Sequence, residues 1–213
     1  MKTLTLKSFN PWVIICLLFI AVPATFSQQT DPTTKLLAEQ FIEQNDHFRA
    51  AQDLSDRLQF LLYLAPAAYN AGRNDQAKQY ADELLLTVKA VEREKRKLPH
   101  QIGRANHVSN TVLGLIAIEG GRTSEAANYL LASGRVTGNP PVLLSFGPNM
   151  LLAKRLLEKG DRATVIEYFD LCANFWKDGS VQLERWKKAV QQGEMPDFHF
   201  NLSYEIDDWR FAK

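Results

Sequence analysis

The 213-residue chain is poor in cysteine. It has two, and Cys16 lies inside an N-terminal apolar run that reads as a leader, so the remainder keeps Cys172 alone. That excludes an intramolecular disulfide and a thiolate zinc site in the mature chain. The core must then hold by packing, which a chain of this length can do. Cys172 sits at helical spacing among Phe169, Leu171 and Phe175 with no basic neighbour, the setting of a buried structural thiol. Histidine is scarce as well. None of His47, His100, His107 and His199 forms an i, i+4 pair around a glutamate, so no zinc-protease helix is present. There is no G-x-S-x-G nucleophile turn and no dinucleotide G-x-G-x-x-G. No residues are singled out for catalysis, and no cofactor or metal is expected. A net charge of +1 supplies no global field for nucleic acid or a membrane surface. No stretch before residue 196 alternates as a strand does.

What is present begins with a targeting pattern. Lys2 and Lys7 precede "PWVIICLLFIAV", an apolar run shorter than the ~20 residues needed to span a bilayer. Small residues follow, ending at Ala24 or Ser27, either of which suits a signal peptidase. Residues 1–27 (or 1–24) are therefore expected to be a signal peptide and the mature protein to be secreted or periplasmic, with no stable membrane span after cleavage. An uncleaved anchor is the alternative.

The rest is ordinary globular composition, 46% hydrophobic and 23% charged, with helical periodicity throughout. The spacing predicts helices over 34–50, 53–71, 74–97, 104–119, 123–133, 148–159, 161–176 and 180–192. Asp53, Asn74, Thr123 and Asp161 stand at their starts, and Gly72, Gly120-Gly121, Gly160 and Gly193 at their ends.

Three segments share one pattern: "LAPAAYNAGRNDQAKQY", "LGLIAIEGGRTSEAANY" and "LAKRLLEKGDRATVIEY". About Gly72, Gly121 and Gly160, leucine stands eight residues before (Leu64, Leu113, Leu152) and a small residue seven before (Ala65, Gly114, Ala153). A small or β-branched residue stands five after (Ala77, Ala126, Val165) and tyrosine eight after (Tyr80, Tyr129, Tyr168). Glycine in the left-handed conformation ends one helix and lets the next begin at once. Small residues facing each other then let two antiparallel helices approach closely. Each segment reads as a helix–turn–helix hairpin, and consecutive hairpins should stack. Pro66, inside a first helix, should kink it or mark its true start.

The pattern resembles tetratricopeptide (TPR) repeats over roughly residues 57–175. The glycines are 49 and 39 residues apart, where the family repeats at about 34, and the proline that usually closes a repeat is missing. The resemblance implies an all-α, TPR-like α-solenoid over residues 28–196 that binds a peptide or protein partner, without catalysis, on the concave face of its first helices. Onto that face it would project Tyr69, Asn70, Thr111, Ile118, Glu119, Met150, Lys154, Leu157 and Glu158. The same hairpins in a generic helical bundle are the alternative for the fold. For function the alternatives are an extracytoplasmic hydrolase with a cleft near residues 134–147, and a structural subunit of a cell-envelope complex.

Three further stretches bear on the site. "ASGRVTGNPPVLLSFGPNM", residues 132–150, lacks the G-x-x-x-x-G-K-[ST] of a phosphate loop and carries prolines that have no N–H, so it reads as a linker. Pro148 would sit in the first turn of the following helix, and Val142, Leu143, Leu144 and Phe146 would pin the linker to the body. "VEREKRKLPHQIGR", residues 91–104, gathers Arg93, Lys95, Arg96, Lys97 and Arg104. Interleaved Glu92 and Glu94 and the lack of stacking aromatics argue against nucleic acid. The tail, residues 197–213, carries Phe198, Phe200, Tyr204, Trp209 and Phe211. It should either pack back on the helices as a cap, or be offered to a partner or lie in the array's own groove. Asn201-Leu202-Ser203 is a glycosylation acceptor only in a glycosylating host.

Overall fold

The computed structural model describes residues 31–203 and residue 206. The expected leader, with Cys16, and the tail aromatics Tyr204, Trp209 and Phe211 lie outside the described residues. Among the described residues the protein is all-α, without strands. The helices are α1 (Pro32–Asn45), α2 (Leu54–Asn70), α3 (Asn74–Arg93), α4 (Pro99–Glu119), α5 (Thr123–Gly134), α6 (Pro141–Phe146), α7 (Leu151–Glu158), α8 (Arg162–Cys172) and α9 (Ser180–Gln191). Short 3-10 segments cover Asp46–Ala50 and His199–Leu202.

Helix ends follow local chemistry. Asp53 accepts from the backbone N–H groups of Ser55 and Asp56 at the start of α2, and Asp161 from that of Thr164 at the start of α8. Asn74 and Thr123 are instead the first residues inside their helices, with no side-chain cap. The three turn glycines have φ of +73°, +75° and +86°. At each, the glycine N–H donates three residues back and the next N–H donates five back, as in Gly72→Tyr69 and Arg73→Ala68. The pairs Gly121→Ile118 with Arg122→Ala117, and Gly160→Leu157 with Asp161→Leu156, repeat it. This closure satisfies carbonyls the helix leaves open. It recurs after α9 at Gly193, and after α3 at Lys95, which adopts φ +54° without being glycine.

The repeated positions form the core. Leu64, Leu113, Leu152, Ala65, Ala153, Ala77, Ala126, Val165, Tyr80 and Tyr168 are all buried, and Tyr129 is half-buried. α2 packs on α3, α4 on α5 and α7 on α8. α2 also contacts α4, and α4 contacts α7, so the first helices of the hairpins are neighbours. α3 packs on α4, α5 on both α7 and α8, and α9 on α8. The expected small-to-small contact takes another form at Gly114. A Cβ there would overlap Leu152 Cδ2 and come within 3.1 Å of Tyr129 Cβ. The missing side chain admits the next hairpin's leucine as well as the partner helix.

Several sequence expectations are corrected. Pro66 does not start a helix; it lies buried inside α2, twelve residues after its first residue. α4 begins at Pro99, five residues before the expected start, because proline fits the first helical position. Residues 46–50 tighten into 3-10 geometry. The 134–147 stretch is not an unstructured linker. Gly134 ends α5 against Tyr168 and Leu171, and Pro141–Phe146 form α6. Pro148 lies outside a helix, since α7 starts only at Leu151. Leu143 is buried, but Phe146 is 53% exposed.

Candidate functional site

The loop between α5 and α6 covers the start of α4. His100 Nδ1 lies 2.7 Å from Gly138 O and 2.8 Å from Asn139 O. Gly103 leaves room for Thr137 O, and Gly138, at φ +76°, sits directly on the Pro99 carbonyl. The loop's backbone is thus spent on α4.

The short segment after α6 has a different task. Asn149 makes four hydrogen bonds at one place. Its N–H donates to His107 Nε2 (3.1 Å), its carbonyl accepts from Tyr168 Oη (3.2 Å), its Oδ1 accepts from Leu151 N–H (2.8 Å), and its Nδ2 donates to Leu202 O (3.2 Å). Because a backbone N–H must be the donor to Nε2, the His107 proton is on Nδ1, where it is donated to Ser133 O at 3.0 Å. Burial pushes the imidazole down to about 4; the Ser133 bond opposes this and the charge of Arg104 adds to it. His107 is therefore a neutral strut joining α4, the end of α5 and the start of α7.

Asn149 leads to the C-terminal segment. Trp186 Nε1 donates to Asp197 O at 2.9 Å. Phe198 is buried, with ring centroids 5.0 Å from Trp186 and 6.3 Å from Phe169. Asn201 Nδ2 donates to Phe146 O and Pro148 O, both at 3.0 Å, and Met150 N–H donates to Asn201 O at 2.7 Å. Asn70 Nδ2, at the end of α2, donates to Ile206 O at 2.9 Å, and Ile206 is buried. Residues 197–203 thus lie against α9 and the start of α7, and Ile206 lies at the end of α2. Asn201 is 2% exposed with its amide nitrogen engaged, so the Asn-Leu-Ser sequon cannot carry a glycan while the segment is seated.

The nine residues expected on the first-helix face divide accordingly. Asn70 and Met150 are buried and bonded to the C-terminal segment, so they meet chain rather than solvent. Thr111 is buried and spends its hydroxyl on His107 O at 2.8 Å. Ile118 and Leu157 are buried within the core cluster. For these five, the expected projection into an open groove is corrected: helix packing and the returning segment enclose them.

The other four form polar links near the helix ends. Tyr69 Oη of α2 donates to Glu119 Oε1 of α4 at 2.6 Å, and Asn74 Nδ2 donates to Glu119 Oε2 at 3.2 Å. Burial, then the Glu119 charge and hydrogen bond, push the Tyr69 phenol well up. Lys154 pairs with Glu158, and Arg155 Nη1 reaches Glu158 at 3.2 Å. Burial raises the Glu158 carboxyl, but these two hydrogen bonds outweigh it and hold the group below its usual range.

His107, Asn149 and Asn201 were not expected from sequence. The only signal was Asn149 after Gly147-Pro148, a polar residue at a helix entry.

Elsewhere, a surface cavity of about 250 Å³ is lined by Arg49, Arg57, Glu83, Leu86, Thr87 and Ala90. Its guanidiniums are already engaged, Arg49 with Glu83 at 3.9 Å and Arg57 with Ala51 O at 3.1 Å. In the basic stretch, Arg96 pairs with Asp53 and Glu94, and Arg104 lies 5.2 Å over the Tyr63 ring. Among the described residues there is no metal-ligating cluster, and no helix is long and apolar enough to cross a membrane.

Comparison with protein-family models, with curated proteins and with solved structures finds no match to the chain.

Proposed function

We propose that the protein is a non-catalytic, exported interaction module: a TPR-like array of stacked hairpins whose first-helix face holds a peptide segment of a protein partner. One observation carries this reading. Beside the start of α7 and the end of α2, the chain's own C-terminal segment is already held through the main-chain carbonyls of Asn201 and Leu202, in a single 3-10 turn, and of Ile206, using Met150 N–H and the side-chain amides of Asn149 and Asn70. Donors aimed at backbone carbonyls suit the capture of a peptide, because every peptide offers those acceptors. The adjacency of α2, α4 and α7 supports a continuous face, and the Schellman-closed hairpins support the repeat reading. The apolar run after Lys2 and Lys7 supports export.

The test is crosslinking in intact cells from a photo-reactive residue at position 159, exposed at the end of α7 beside Glu158, with identification of the captured chain. A protein captured by the parent face and lost with the Tyr69→Ala/Glu119→Ala pair is the expected result. Capture unchanged by that pair would place binding elsewhere.

A further inference from the structure

The C-terminal segment is held in two unlike ways. Phe198 is a core residue, 1% exposed among Trp186 and Phe169. Beyond it, His199 takes φ +46°, an unfavourable value for a non-glycine residue. Phe200 is 56% exposed. The chain then touches the first-helix face through hydrogen bonds and one buried aliphatic side chain, Ile206. Three of those bonds go to carbonyls that any chain would present. Among the described residues, sequence is read by the Asn201 side chain, by buried Ile206 and, more weakly, by half-buried Leu202 packed on the core.

We propose that residues 199–203 together with Ile206 are an internal ligand that keeps the face closed, and that the partner displaces them with a segment bearing the two features held most fully: an asparagine and, five residues later, an aliphatic side chain. This rests on the reading of the face as a peptide site. Phe198 stays in the core as the tether, and the backbone at His199 is the pivot. The incoming asparagine takes the Phe146 and Pro148 carbonyls. The incoming aliphatic takes the Ile206 position, and Met150 N–H, Asn149 and Asn70 re-form their bonds to the new main chain. Tethering gives the resident segment a high effective concentration, so the closed state lowers the apparent affinity for any competitor by the fraction of time the face is open.

The test uses the full chain and a fluorescent synthetic peptide with the sequence of residues 199–206, read by anisotropy. Asn201→Ala in the protein should raise peptide affinity about tenfold or more over the parent. Ile206→Ala should raise it too, and serves as the second variant if Asn201→Ala fails to fold. The same peptide with its asparagine replaced by alanine should lose the gain. In hydrogen exchange, the Met150 amide should exchange faster in Asn201→Ala and be protected again by the peptide. Equal peptide affinity for parent and both variants would overturn the internal-ligand proposal while leaving the face a peptide site. No binding to any of the three would overturn the proposed partner chemistry. The crosslinking result from position 159 decides the interaction reading independently of either outcome.

Discussion

Protonation of His107 should unfasten the junction of α4, α5 and α7. In the fold its Nε2 accepts from Asn149 N–H, and a protonated ring would turn that acceptor into a donor facing a donor. The folded-state value is about 4 against an ordinary 6.5. Between those values the unfolded chain binds a proton that the folded chain refuses, so stability must fall as the pH falls from 6.5 towards 4. The full difference corresponds to about 3 kcal/mol, a large share of the ~5–15 kcal/mol by which a domain is stable. Arg104 is the charged group acting on the ring, and it retains its charge throughout this range. The assay is urea unfolding at half-unit steps from pH 7.5 to 4, on the parent and on His107→Gln. The variant should be less stable at pH 7.5, because it loses the Ser133 bond, yet should have the flatter profile. Other carboxylates, such as Asp53 and Glu158, titrate in both proteins and cancel in the difference. The parent's advantage should therefore shrink by about 3 kcal/mol on acidification. Parallel profiles would show that His107 is not the buried neutral strut described above.

Two more predictions test the packing. Gly138→Ala places a Cβ on the Pro99 carbonyl at φ +76° and should cost about 3 kcal/mol. Gly72→Ala, at φ +73° with open space around it, should cost only about 1 kcal/mol; equal shifts in denaturation midpoint would refute the loop-on-α4 contact. Cys172 is fully buried, and burial pushes its thiol well up, so it should resist a thiol reagent at pH 8 until denaturant is added. Rapid labelling of the folded protein would contradict the packing of α8.

The hairpins were legible in the sequence because their cause is local. A glycine that permits positive φ ends a helix wherever it stands, and the leucine, small residue and tyrosine at fixed offsets from it must share a face. The boundaries that moved have longer-range causes. Pro66 was expected to kink α2 or mark its start, but the helix begins well before it, at Leu54, and Pro66 is buried within it. Pro148 was expected to start a helix, but its carbonyl is taken by Asn201, 53 residues away in sequence. Pro141 takes that role instead, in a short helix the sequence pattern did not reveal.

By itself the sequence determined an all-α run of helix hairpins and the turns at Gly72, Gly121 and Gly160. Tertiary structure alone decided what the first-helix face meets. Offsets from a turn glycine identify a helix face, but not what packs against it. Asn70, Thr111, Ile118, Met150 and Leu157 are enclosed because neighbouring helices and a returning segment reach them. Those contacts join residues as far apart as Asn70 and Ile206, 136 positions along the chain. No periodicity within a helix encodes such a pairing; it exists only once the hairpins have stacked and the end of the chain has found the space beside them.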